Sequence, residues 1–218
     1  MTRYREFFTP ARIRSLGVAV ILFALAVVFQ YYASAYSSRV PSNSVPDLLL
    51  SILPIVNTNF LIVEGALAAI AGTLILLFFF RPEYLIFTLK AMAIFIATRA
   101  VFVSVTHIGI YPGQIGPDPT GPFDHIYIGL GLEGGYFFSG HTGSTFLMAL
   151  IFWNERLWRY VYLALCVTLA FGVLLAHVHY SIDVLAAPYM AFGIFTMSKY
   201  FFKEDYGLIT SYLAKRAA

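Results

Sequence analysis

The chain has 218 residues, of which 60% are hydrophobic and 11% charged, and its mean hydropathy is +0.78. Such a composition excludes an ordinary water-soluble domain, and a net charge of +3 gives no footprint for nucleic acid. A single cysteine, Cys166, set in an apolar run, excludes a disulfide framework and a multi-thiolate metal site.

The expected fold is all-α: a polytopic membrane protein, a six-transmembrane-helix bundle forming one integral membrane domain over residues 1–218. A hydrocarbon core of about 30 Å takes roughly 20 apolar residues per crossing. In chain order the runs that fit are Leu16–Tyr36, Phe60–Phe80, Leu85–Ile108, Phe138–Trp153, Tyr160–Ala176 and Val184–Phe202. The first is long enough to span and lacks a small-residue cleavage site, so it reads as a helix rather than a cleaved leader. The fourth is short, and is expected to begin earlier or to be packed inside the bundle.

Between the first two runs lies Ser38–Asn59, whose centre, Leu48–Val56, reads as a short helix at the interface. The second run carries Glu64 and the third carries Lys90 and Arg99. Ionisable groups at such depth are candidates for function. The alternatives for Glu64 and Arg99 are a buried ion pair or a place at a substrate's phosphate and headgroup. Lys90 lies near a helix end, from which it can snorkel. After the third run comes Gly109–Gly135, whose eight Gly and four Pro argue against regular structure.

Orientation follows from Lys and Arg. With both termini cytoplasmic, that side carries Arg3, Arg5, Arg12, Arg14, Arg81, Arg156, Arg159, Lys199, Lys203, Lys215 and Arg216, against Arg39 alone on the other. The exoplasmic face then receives the acidic loop with Asp118, Asp124 and Glu133, together with two motifs that each precede an apolar run. These are Ser139-Gly140-His141-Thr142 and His179-Tyr180-Ser181-Ile182-Asp183.

The two motifs carry the chemistry. A helix start presents unpaired backbone N–H groups that favour an anion such as phosphate. Residues four apart share a helix face, so Asp183 can orient His179 and leave its second ring nitrogen free to attack phosphorus. His141 is the natural general acid. Ser139 reads as a helix cap and Gly140 as a position where backbone closely approaches a phosphate. Tyr180, Arg99 and Glu64 complete the expected substrate-binding set. No cofactor is expected, although zinc held by His141, His179 and Asp183 is the alternative to a metal-free site. His177 would point away from His179 in a helix, and His107 and His125 read as loop or interface residues. Tyr111, Tyr127, Tyr136 and Phe137 are near enough to hold a cationic headgroup by cation–π contact.

These stretches resemble the type-2 phosphatidic acid phosphatase superfamily, and within it the sphingomyelin synthase branch. The likeness is carried by Gly135-Tyr136-Phe137-Phe138-Ser139-Gly140-His141-Thr142 and by Ala176-His177-Val178-His179-Tyr180-Ser181-Ile182-Asp183-Val184. Val45-Pro46-Asp47 is a weaker echo, and Glu64 and Arg99 fall where the synthases have like residues. The resemblance implies a six-helix bundle, His179 as nucleophile, Asp183 as its orienter and His141 as acid. It also implies a membrane phospholipid donor, and ceramide, diacylglycerol or water as acceptor.

Departures point within the superfamily. The phosphatases place a Ser-Arg pair where this chain has Gly172 and Val173, and Arg81-Pro82 lacks their upstream Lys. Many synthases have acidic residues where this chain has Gly135 and Val178. A monoester carries about −1.5 to −2 charge and calls for several Arg or Lys donors, so the expected substrate is a singly charged phosphodiester. The expected activity is therefore headgroup phosphotransfer or phospholipase C-like hydrolysis. The alternatives are a lipid phosphate monoester phosphatase and a non-catalytic lipid-binding scaffold.

Overall fold

The structure, a computed structural model, describes residues 9–40, 42–118, 120–129 and 135–217. Arg3, Arg5 and Glu133 lie outside the described residues. Among those described, the regular structure is entirely helical.

Helix α1 (Pro10–Arg39) begins where Thr9 accepts a hydrogen bond from the Arg12 N–H, with Pro10 at its first position. Its 30 residues are apolar on nearly all sides. The buried stripe is made of small residues, Ala19, Ala26 and Ala33, which let it lie close against α5 (Pro82–Val105). Val20, Ile21, Leu25 and Tyr32 remain exposed, as expected of a surface solvated by lipid. A short helix, α2 (Leu48–Ile52), follows under an Asp47 cap and stops short of the expected Val56.

The second run is not one regular helix. It consists of α3 (Asn59–Ile62), α4 (Glu64–Ile75) and a π-helical turn at Leu76–Phe80, interrupted at Val63. Helix α5 is the most buried of the long helices and the spine of the bundle. Helix α6 (Asp124–Gly129) lies in the loop for which no regular structure was expected.

Helix α7 (Gly140–Ile151) has 12 residues, about 18 Å of rise, and starts two residues later than the sequence suggests. Eight of those residues are buried, because it packs between α8 (Arg156–Leu175) and α9 (Ser181–Phe201). The apolar character that reads as a crossing is here that of an interior helix. Among the described residues, five helical segments are long and apolar enough to cross a membrane. Helix α10 (Lys203–Ala217), which the sequence did not announce, folds back against α5 and α9. The main core joins Tyr84, Phe87 and Phe95 of α5 to Leu147 of α7, Phe195 of α9 and the aromatic rings of Phe138 and Phe152. Its tightest pair is the stack of Tyr84 on Phe152, 4.4 Å between centroids.

Candidate active site

The two motifs meet at Asp183. Its carboxylate is fully buried and takes three donors: His179 Nδ1 at 3.1 Å, the Tyr180 N–H at 3.2 Å and the Phe137 N–H at 3.1 Å. Its own main-chain carbonyl accepts the Ser139 N–H at 3.0 Å. One residue thus closes the first turn of α9 and binds the entry to α7. An ionised carboxylate only accepts, so the proton on neutral His179 is assigned to Nδ1 and the lone pair to Nε2. The ring is 6% exposed.

Ser139 caps α7 through its hydroxyl, which accepts the Thr142 N–H at 3.4 Å. His141 follows in the first turn, its ring centroid 6.2 Å from that of His179. Its Nε2 lies 2.9 Å from the Tyr127 hydroxyl and 3.2 Å from the Ile62 carbonyl. The carbonyl can only accept, which favours a proton on this nitrogen. Tyr127 comes from α6 and brings both its hydroxyl and its ring to the imidazole, the two rings 6.0 Å apart and 21° from parallel.

Arg99 is buried, and its guanidinium donates to the Phe138 and Gly135 carbonyls, each at 3.1 Å. A Cβ at Gly140 would sit 3.4 Å from Arg99 Nε. The glycine leaves room for this guanidinium against the backbone. No ion pair joins Arg99 to Glu64 among the described residues. Glu64 opens α4 with its Oε2 buried and without a hydrogen-bond partner.

Tyr180 is almost fully buried, and its hydroxyl accepts the Val45 N–H at 3.2 Å and donates to the Gly109 carbonyl at 2.8 Å. Around it pack Tyr111 and Tyr136, with ring centroids at 5.6 and 5.3 Å. Tyr136 donates to Gln114 Oε1 at 2.6 Å, and burial pushes its hydroxyl pKa above the ordinary tyrosine value. Phe137 serves the site through its N–H, in a left-handed backbone conformation at φ 69°. His177, also left-handed at φ 56°, turns inward and is 2% exposed, with its ring 5.4 Å from Tyr111. Neither of its ring nitrogens has a hydrogen-bond partner. His107 bonds the Ser104 carbonyl, and His125 is exposed.

The acidic loop is less open than its composition suggests. Asp124 is turned inward, where it accepts from Asn59 Nδ2 at 2.9 Å and the Asp118 N–H at 2.6 Å. Asp118 is exposed, and the Thr120 N–H and hydroxyl hold its carboxyl below its ordinary pKa.

Asp47 was not anticipated at the site. Burial raises its carboxyl, but bonds from the Ser181, Leu50 and Leu49 N–H groups outweigh that and hold it below its ordinary value. A Pro-Asp pair ahead of an apolar run does signal a helix cap; the partner in α9 leaves no trace in local sequence. Among the described residues no three His, Cys, Asp or Glu side chains converge as metal ligands do.

Residues 134–200 match the family model described as PAP2 superfamily C-terminal. That stretch contains both motifs, all of α7 and α8, and α9 to its penultimate residue. It supports kinship with the type-2 phosphatidic acid phosphatase superfamily, whose members are phosphatases or phosphotransferases. No curated protein and no solved structure matches the chain.

Proposed function

We propose that this chain is a phospholipid headgroup phosphotransferase or phospholipase C-like hydrolase, similar to the sphingomyelin synthases and working through a phosphohistidine. The observation that carries the reading is the convergence on Asp183, which orients His179 and ties its loop to the one that leads into His141. His179 Nε2 attacks phosphorus, and the bond to the diacylglycerol oxygen breaks as that oxygen takes a proton from His141. The headgroup phosphate remains on Nε2. The acceptor hydroxyl, of ceramide, diacylglycerol or water, then gives its proton to His141 while its oxygen attacks phosphorus and the P–N bond breaks.

A diester is favoured over a monoester by charge supply. The guanidinium beside the two motifs, that of Arg99, already serves two carbonyls, whereas a dianionic phosphate is best held by several cations. The competing reading, a lipid phosphate monoester phosphatase, draws equally on the family match. We place the site on the exoplasmic face, from the Lys and Arg asymmetry of the sequence. An impermeant thiol reagent should label a cysteine placed at Thr120 in intact cells, in a Cys166→Ser background. Absence of labelling until the plasma membrane is opened would reverse the orientation for a chain in that membrane, where the site is periplasmic or extracellular; for a eukaryotic chain with a lumenal site the same reading is made on sealed vesicles.

The deciding experiment incubates purified protein with phosphatidylcholine, phosphatidylethanolamine and phosphatidic acid, each with and without ceramide or diacylglycerol. Diacylglycerol together with a headgroup phosphate, free or on the acceptor, is the expected product by mass spectrometry. Faster release of phosphate from phosphatidic acid would establish the phosphatase instead, and no product from any lipid would favour a lipid-binding scaffold.

A further inference from the structure

Residues 42–53 form a strap across the outer side of the His179 loop. The Ser42 N–H donates to the His107 carbonyl at 2.7 Å, and the Gly109 N–H donates to the Asn43 carbonyl at 3.2 Å. A side chain at Gly109 would collide with the Ser42 carbonyl. The strap then bonds the Tyr180 hydroxyl through Val45, and reaches α9 itself through Asp47. Asp47 is 9% exposed and its two oxygens divide their work. Oδ1 accepts the Leu49 and Leu50 N–H groups at 3.0 and 3.1 Å, capping α2, and Oδ2 accepts the Ser181 N–H at 2.7 Å.

Ser181 stands midway between His179 and Asp183, so its N–H belongs to the turn on which their hydrogen bond depends. A helix start has no internal acceptors for its first N–H groups, and two of those at α9 are taken by carboxylates, Tyr180 by Asp183 and Ser181 by Asp47. Loss of the second frees the turn at the residue between nucleophile and orienter. We infer that Asp47 is a positioning residue: by holding Ser181 it keeps the His179–Asp183 pair in register. Its catalytic consequence rests on the phosphohistidine reading above.

The test compares Asp47→Ala and Asp47→Asn with wild type by hydrogen–deuterium exchange over residues 177–184, without substrate, and by kcat and KM on the best lipid donor. Lys90→Met, which breaks an ion pair at the other end of the bundle, controls for loss of stability alone. Exchange should quicken about tenfold in Asp47→Ala, and kcat should fall on the order of 10- to 100-fold with KM little changed. Asp47→Asn keeps one carbonyl oxygen, able to serve α2 or Ser181 but not both, and should fall between. Lys90→Met should lower the unfolding temperature with kcat retained.

Unchanged exchange over 177–184 in folded Asp47→Ala overturns the inference, as does faster exchange with wild-type kcat. Should Asp47→Ala not fold, Asp47→Asn decides by the same two readings. A wild type that turns over no lipid refutes the phosphohistidine reading and leaves the exchange result to judge whether Asp47 holds the turn.

Discussion

Buried carboxylates occur at both ends of this bundle, and their partners differ in kind. At the end rich in Lys and Arg, Asp205 meets Lys90 Nζ at 2.6 Å and the Ser15 hydroxyl at 2.8 Å. Glu155 there takes Arg81 at 3.2 Å and Arg216 at 2.7 Å. Each acid faces a full positive charge, and the result is a clamp that fastens α10 to the bundle. At the other end Asp183 and Asp47 are satisfied by backbone N–H groups and a single imidazole. Main-chain dipoles satisfy a carboxylate without consuming a cationic side chain. The imidazole is oriented through Nδ1, which leaves Nε2 clear of the carboxylate. The first end pairs charge with charge, whereas the second, on the proposed reading, serves to orient an imidazole.

Substitutions that sharpen this contrast fall in order of size. His179→Ala removes the proposed nucleophile and should lower turnover by about 10⁴-fold or more, with the unfolding temperature nearly unchanged because no structural cation is lost. Asp183→Asn should cost on the order of 10³-fold in kcat. It should also lower stability, since the same carboxylate holds the Phe137 N–H. Wild-type turnover in either purified variant, measured by lipid product formation, would remove His179 from the mechanism.

At the opposite end the expected effect is on folding. Lys90→Met strands Asp205 beside an apolar side chain, and breaking a buried pair costs about 3 kcal/mol. A fall in unfolding temperature with specific activity preserved is the signature of a clamp, and a loss of kcat would join that end to the chemistry. The smallest effect is expected for Tyr127→Phe. It deletes one hydroxyl from His141 Nε2 and should reduce kcat about tenfold, chiefly on the side of the pH profile where His141 must donate. A profile identical to wild type would make Tyr127 a packing residue.

What could be read in the sequence was the local part of the site. The spacing of His179 and Asp183 and the Ser139 cap ahead of an apolar run were legible locally, although α9 begins only at Ser181, so His179 reaches the carboxylate from ahead of the N-cap rather than along a helix face. The junction of the two motifs was not legible: Phe137 and Ser139 reach Asp183 across more than forty residues of chain. Asp47 and Ser181 are farther apart still. For Arg99 a buried cation suggests an anion, Glu64 or phosphate, whereas the Phe138 and Gly135 carbonyls that take its guanidinium are groups every residue possesses and no sequence marks. The length of α7 was misjudged for a related reason. Phe138 is as apolar as a membrane-facing residue, but Ser139 behind it is held by the Asp183 carbonyl and starts the helix there. Helix α6 was hidden among glycines and prolines.

The double tie made by Asp183 has a mechanical consequence. Its carbonyl and carboxylate rivet the lead-in of α7 to the head of α9, so these two walls cannot be prised apart without disturbing the His179–Asp183 pair. Any doorway for a lipid must therefore open elsewhere on the perimeter. Tyr127 offers no loose edge, since it is buried among Ile62, Val63, Val173 and Val184 and meets His141 with both its hydroxyl and its ring face.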